Sequence, residues 1–284
     1  MRSTDNQGVH MHITDILNFY EEVKDDIKSQ STSSVRTKIM ISLSEGPKKT
    51  KDLRELTGIP ASTILHGINE LEKQELVIKE GDNFFLSEIG KIMALKLIDT
   101  VRASVSLKKL QRLLFNHEIR DIPHDLLMDI GHLSNSQLIE ADNIDVFKVH
   151  GTHLEIVLDS KRIRGISPIF YPNYPETFKK IIENNINVEL ILTKDVLKKT
   201  IQSIDKGEED LKELIATGNL TLWKLDKDIK VAFTVTDKFM TMGFFSVNGM
   251  YDPTRNLVSN DNDALEWGNR LFEYYRKQAD KIDL

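Results

Sequence analysis

Residues 50–86, TKDLRELTGIPASTILHGINELEKQELVIKEGDNFFL, constrain this chain more than any other stretch. They predict two short helices joined by a tight turn, followed by a β-hairpin. The first helix covers residues 51–57, with Thr50 as candidate N-cap and Gly58 just past the end. Ile59-Pro60 leads into the second, and the proline stands where a helix start tolerates one. In that second helix Ile64, Ile68 and Leu71 recur at i, i+4 and i+7 as one apolar stripe. Ser62, His66, Asn69 and Lys73 recur on another, polar face, and Gly67 permits close packing or close backbone approach. One buried face and one hydrogen-bonding face are what a helix needs in order to read the DNA major groove.

A third helix precedes this pair. Ser33 or Ser34 caps it, Val35, Ile39 and Leu43 sit four apart along it, and Gly46-Pro47 ends it. Three helices and a hairpin make a winged helix-turn-helix. The wing pairs residues 77–79 with 84–86 and turns through Glu80-Gly81-Asp82-Asn83. In that geometry Ser62, Thr63, His66 and Asn69 face base edges, and Lys48, Lys49, Lys51, Lys73 and Lys79 face phosphates. The acidic wing turn limits the wing's share of phosphate contact chiefly to Lys79. The partner is double-stranded DNA, and a homodimer is expected because one head covers one half-site.

Charge bears on how tightly such a head holds DNA. The chain of 284 residues carries a net charge of −6. Between residues 31 and 91 basic and acidic side chains balance, so the excess negative charge lies outside that segment, in residues 1–30 and in the long C-terminal part. A neutral head on an acidic body gives a weak electrostatic footprint.

The fold class expected is α+β multidomain: an N-terminal winged helix-turn-helix, a linker helix, and a C-terminal α/β sensor-like domain. Residues 1–30 hold a leader and an N-terminal helix, whose apolar rhythm over 13–27 suits packing on the head or on a second subunit. Residues 31–90 are the DNA-binding head. The helical pattern over 88–116, centred on a linker at 91–118, serves either as a dimer seam or as a core helix of the second domain. Residues 119–284 alternate strand and helix patterns, with strands at 166–171, 188–193, 220–225, 231–236 and 239–247. Helices are expected at 175–184, 195–204, 208–216 and 264–282. Strands alternating with helices imply a layered domain around a buried sheet.

Catalytic signatures are missing. There is no phosphate-binding glycine loop, nucleophile elbow or zinc-protease motif, and no cysteine, so no enzyme activity and no cofactor are expected. His150 and His153 would share a helical face but lack a third ligand at metal-binding spacing. No apolar run approaches the roughly 18 residues that span a bilayer, and residues 1–14 lack a signal-peptide core, so a cytoplasmic protein without a membrane partner is expected. For a small-molecule effector, Arg162, Arg164, Tyr171, Tyr174 and Asp237 are the candidate pocket residues at the strand ends. The alternative is a phosphodiesterase-like enzyme or a protein-interaction module whose winged helix does not bind DNA.

Two resemblances sharpen this. VAFTVTDKFMTMGFFSV resembles the strand-turn-strand of the phospholipase D-like fold, whose signature is H-x-K-x-x-x-x-D with a glycine six residues later. Asp237 and Gly243 keep that separation, but Lys230 falls at the histidine position and Ala232 at the lysine position. Without the histidine no nucleophile is present to form a covalent phosphoryl intermediate. This resemblance implies a scaffold and a crevice without an active site. From residue 31 onward, the head together with FFLSEIGK, RGISPIFYP, VELILT, DKFMTMGFF and EWGNRLFEYYRKQA resembles the archaeal winged-helix regulators of the methanogen filamentation-regulator type. That resemblance implies an archaeal transcription regulator with a C-terminal regulatory domain, and it carries over no catalytic residues.

Overall fold

The computed structural model describes residues 12–141, 148–171, 177, 180, 184–203, 212–213 and 215–282. The chain divides into two compact units, Met1–Asp99 and Thr100–Leu284.

In the first unit, α1 (Ile13–Thr32), α2 (Ser34–Leu43), α3 (Thr50–Thr57) and α4 (Ala61–Lys73) precede the hairpin of β1 (Val77–Glu80) and β2 (Asn83–Leu86). Ser33 caps α2, its Oγ accepting from the Arg36 N–H at 3.3 Å. The start of α3 differs from the sequence expectation: Lys49 is the N-cap and Thr50 is already helical. The cause is Asp52, which reaches back from the first turn so that its Oδ2 accepts the Lys49 N–H at 2.8 Å. Gly58 ends α3 with φ +70, a left-handed backbone that only glycine takes without strain. Pro60 stands one residue outside α4, and its carbonyl accepts from the Thr63 and Ile64 N–H groups, both at 3.0 Å.

The head's core gathers Ile39, Met40, Leu43, Leu53, Ile64, Ile68 and Leu71 from the helices with Val77, Phe84 and Leu86 from the wing. A Cβ on Gly67 would lie 2.9 Å from Ile39 Cδ1 and 3.0 Å from Val35 Cγ1, so this glycine brings α4 tight against α2. The wing turn is shorter than expected. Glu80 and Asn83 pair directly, leaving Gly81-Asp82 as a two-residue turn with Gly81 at φ +60. Lys48 adds an isolated antiparallel bridge to β2, exchanging backbone hydrogen bonds with Phe84 at 3.2 and 2.9 Å. In contrast to this buried face, Ile13, Ile16, Leu17, Phe19, Tyr20, Val23 and Ile27 of α1 are all exposed.

The helix α5 (Glu88–Asn116) contributes Ala94 to the head's core and Leu110 and Leu113 to the core of the second unit. Ile89, Ile92, Leu95, Val101 and Val105 along it remain exposed.

The second unit continues with α6 (His124–Met128), β3 (Gln137–Glu140), α7 (Lys148–Leu158), β4 (Arg162–Ser167), β5 (Asn187–Thr193), α8 (Lys194–Ser203), β6 (Leu220–Leu225), β7 (Val231–Thr236), β8 (Met240–Phe245), β9 (Tyr251–Ser259), α9 (Asn262–Arg276) and β10 (Asp280–Lys281). Its eight-stranded sheet has the order β10-β6-β5-β4-β7-β8-β9-β3. The β4–β5 and β5–β6 pairs are parallel and the others antiparallel. One sheet face packs on α9 through Ile166, Ile191, Phe233, Val235, Met242 and Trp267. Val157 of α7 packs on the other face, over Ile163, Val188, Leu220 and Leu222, with Ile201 of α8 beside them.

Several boundaries shift. The expected strand at 166–171 lies earlier, as β4, and stops before Pro168, which has no N–H for the ladder. Strands β3 and β9 were not expected. The C-terminal helix ends at Arg276, and the last residues of its expected span turn back to pair with β6. Most of the expected helices at 175–184 and 208–216 lies outside the described residues.

One carboxylate in the second unit predicts an acid response. Asp252 Oδ1 accepts from the Thr254 N–H at 2.9 Å, and Oδ2 lies 3.0 Å from His117 Nε2. Burial works against the carboxylate's charge, but the hydrogen bonds from Thr254 and His117 outweigh it and hold the group below its ordinary value. Its stabilising effect is complete above the unfolded value of about 3.9 and is lost as pH falls through the lower folded value. Asp252→Asn is therefore expected to flatten the acid limb of the second unit's stability, read by urea unfolding at stepped pH. An unchanged acid limb would refute the assignment.

Candidate nucleic-acid interface

The chemistry of the head lies on α4. Its apolar stripe is buried in the head, which turns Ser62, Thr63, His66 and Asn69 outward, where all four are exposed. Leu65 belongs to the same face and is 41% exposed. Its position was legible, since it stands three residues after Ser62 and four before Asn69, but an apolar residue does not register in a search for polar faces. Groove-facing apolar side chains can read the thymine methyl.

Five lysines surround this face, and most have a partner already. Lys73 donates to Glu70 at 2.8 Å, and that ammonium holds the Glu70 carboxyl below its ordinary value. Lys51 lies 3.9 Å from Glu55, Lys49 3.6 Å from Asp82 in the wing turn, and Lys48 3.6 Å from Glu45. The Lys79 ammonium stands 5.8 Å from the Phe84 ring centroid. The Lys48 side chain is only 16% exposed, which shortens its reach. Lys49, Lys51 and Lys79 meet with Leu65 and Asp82 in a cleft of about 260 Å³ between the start of α3, the outward face of α4 and the wing. Cations, an apolar side chain and uncharged hydrogen-bonding groups thus share one surface.

In the second unit a cavity of about 90 Å³ lies against the sheet face that carries α7. Tyr171 lines it, with its hydroxyl 3.4 Å from that of Tyr251, and burial pushes the Tyr171 hydroxyl's pKa up. Of the other candidate pocket residues, the three described ones are not brought there. Arg164 points to the opposite face, 2.9 Å from Glu189 and 3.3 Å from Glu273, with its guanidinium 5.2 Å from the Phe272 ring centroid. Arg162 is exposed at the start of β4. Asp237 sits in the β7–β8 turn, where Oδ1 accepts the Lys161 and Arg162 N–H groups at 2.9 and 3.2 Å. Tyr174 lies outside the described residues.

His153 also lines the cavity, with Nδ1 3.4 Å from Thr241 Oγ1. The side chain of His150 lies outside the described ones. Among the described residues no group of three or more His, Asp or Glu side chains is placed to hold a metal ion. No helix among them is long and apolar enough to cross a membrane. Sequence reasoning missed Asn256 and Tyr251 as cavity residues because β9 itself was missed.

Comparison with known proteins supplies what geometry does not. Residues 24–103 match the N-terminal domain and residues 146–278 the middle domain of the methanogenesis regulatory protein FilR1. FilR1 of Methanothrix harundinacea (strain 6Ac) is 23% identical over 258 residues, covering 90% of this chain. The match spans only 58% of that relative's length. Among solved structures, the archaeal chromatin protein TrmBL2 aligns with a TM-score of 0.42 at 13% identity, over 93% of this chain and 99% of its own. The MarR family transcriptional regulator SPO1453 from Silicibacter pomeroyi DSS-3 aligns with a TM-score of 0.27 at 15% identity, over 40% of this chain and 85% of its own. Phosphatidylserine synthase from Haemophilus influenzae Rd KW20 aligns with a TM-score of 0.38 at 12% identity, over 52% of this chain and 40% of its own.

Proposed function

Because this chain belongs to the FilR1 regulatory family, we propose that it is a sequence-specific DNA-binding transcriptional regulator whose helix α4 reads the major groove. The observation that carries the reading is the outward face of α4, with Ser62, Thr63, His66 and Asn69 exposed opposite a fully buried stripe. Base edges are read from such a face by hydrogen bonds, while Lys48, Lys49, Lys51, Lys73 and Lys79 set the register on the phosphates. The relative's name directs the search for operators to methanogenesis genes.

Selection of bound sequences from random DNA tests the proposal, followed by binding measurements on the selected site. Asn69→Ala and His66→Ala are each expected to weaken specific binding by about 1–3 kcal/mol, or roughly 5- to 150-fold, and to relax preference at one base position. Lys73→Gln or Lys79→Gln should instead weaken all sequences alike and lower the salt slope by about 1. Unchanged affinity and preference in both α4 variants would sink the assignment.

The regulator acts as a homodimer in this reading, and α1 supports it. Ile13, Ile16, Tyr20, Val23 and Ile27 repeat at alternating spacings of three and four, the rhythm of a two-helix seam, and all are exposed. Tyr20→Glu with Val23→Glu should convert dimer to monomer in sedimentation equilibrium. A dimer that survives both substitutions unchanged would remove α1 from the interface.

The second unit is read as the sensor, on a phospholipase D-like scaffold without its chemistry. Lys230 and Ala232 replace the catalytic pair, and the Asp237 carboxylate is engaged by backbone N–H groups. Its cavity supports the sensing role.

A further inference from the structure

We propose that the cavity over β7, β8 and β9 is a binding site for a small uncharged molecule of about one ring that donates a hydrogen bond to Asn256. The inference rests on the reading of the second unit as a sensor and specifies the chemistry that it takes.

The cavity follows from an asymmetry between the two faces of the sheet. Toward α9, β7 and β8 present Val231, Phe233, Val235, Met240, Met242 and Phe244, all buried in one core. Toward α7, the alternate positions are Ala232, Thr234, Thr241 and Gly243. Strand registry sets these small residues side by side: Ala232 opposite Gly243, Thr234 opposite Thr241, and Gly243 opposite Asn256. Protein interiors are ordinarily filled to crystal-like density, so a floor of small residues under a helix leaves a real void. Gly243 is required there, because a Cβ would lie 2.4 Å from the Tyr251 hydroxyl and 2.9 Å from Asn256 Oδ1.

Three observations define the occupant. First, none of the described residues lining the cavity is Lys, Arg, Asp or Glu, so apart from the His153 imidazole they offer a charged ligand no counter-charge for its lost hydration. Second, Asn256 is 7% exposed and its Oδ1 has no hydrogen-bond partner. An acceptor left bare in the interior costs stability, and a ligand hydroxyl or amide N–H would relieve that cost. Third, the void of about 90 Å³ is of the order of the roughly 150 Å³ apolar cavity that takes up benzene in another protein. The occupant is thus a small alcohol, phenol or amide.

The test uses phenol and cyclopentanol as neutral donors, benzene as a ring without a donor, and benzoate as a charged ring. Each is titrated into the full chain, with calorimetry for affinity and nitrogen-15 spectra to follow the Asn256 side-chain amide. Phenol and cyclopentanol are expected to bind saturably and to shift the Asn256 amide, with benzoate weaker by about tenfold or more. Asn256→Leu should weaken phenol by about tenfold and leave benzene unchanged. Ala232→Leu, which fills the floor with an apolar side chain, should abolish binding of every probe while raising the melting temperature. Absence of saturable binding by both neutral donors, or phenol binding unaltered by both substitutions, overturns the site. Phenol binding that leaves affinity for the selected DNA unchanged upholds the site and overturns the sensor reading.

Discussion

Trp267→Ala is expected to destabilise the second unit by about 3–5 kcal/mol, the range for truncating a large buried aromatic. Trp267 is fully buried in α9, at the centre of the cluster that joins this helix to the sheet and to α6. Its indole N–H donates to the Leu126 carbonyl at 2.9 Å, so truncation opens a cavity and also strips a buried acceptor of its donor. Trp267→Phe separates the two effects: it retains most of the volume and should cost about 1–3 kcal/mol, chiefly for the bare carbonyl. Denaturant unfolding of both variants gives the comparison. If the phenylalanine variant matched the wild type, the hydrogen bond would contribute nothing and packing alone would hold α9.

Gly90→Ala is expected to act against helix propensity. Alanine in place of glycine inside a helix ordinarily stabilises by about 1 kcal/mol. Here the added Cβ would lie 2.0 Å from the Leu76 carbonyl oxygen and 3.0 Å from the Leu76 carbonyl carbon. These are backbone atoms, and no rotamer change relieves the clash. The same carbonyl accepts the Ser87 N–H at 3.0 Å, and the Ser87 hydroxyl donates to the Glu75 carbonyl at 2.6 Å, so the junction of wing and α5 cannot drift apart cheaply. Glu75 already adopts a left-handed φ of 59 at this point. A net loss of about 3 kcal/mol, the upper end of overpacking costs, is expected in thermal or urea unfolding of the head. Equal or greater stability would show that the close approach of α5 to Leu76 is not obligatory.

The sequence made the head legible and the second unit only partly so, for physical reasons. The head's signals are local: a left-handed glycine at 58, a proline at 60, an apolar stripe through Ile64, Ile68 and Leu71, and a glycine at 81 that marks the wing turn, though the turn is two residues shorter than the expected 80–83. The one misplaced cap, Thr50 for Lys49, turned on a side chain reaching back from Asp52. The span of α5 was legible too, since its apolar residues run unbroken by proline.

Elsewhere tertiary partners override local pattern. β4 was read late because Arg162 and Arg164 look too polar for a buried strand. Arg164 is accommodated by Glu189, Glu273 and the Phe272 ring, none of which a short window reveals. β9 was missed because YDPTRNLVS carries a proline and few apolar residues, and its pairing with β8 and β3 is non-local. Among the candidate pocket residues that are described, only Tyr171 lines the cavity. The small side chains at Ala232, Thr234, Thr241 and Gly243 were visible throughout, but their vacancy has meaning only once the strands are set side by side.

Four lysines that already have carboxylates beside them make poor handles for random DNA. In the proposed reading, each phosphate contact they form would compete with Glu45, Asp82, Glu55 or Glu70, and the counterion gain that drives indiscriminate binding would shrink accordingly. A regulator built this way would dwell briefly on arbitrary sequence and reach its target through repeated excursions into solvent rather than by long slides. Fewer copies would then be sequestered along the chromosome. A modest number of molecules per cell could then occupy a few operators, with occupancy set, in the proposed reading, by how well the α4 face fits.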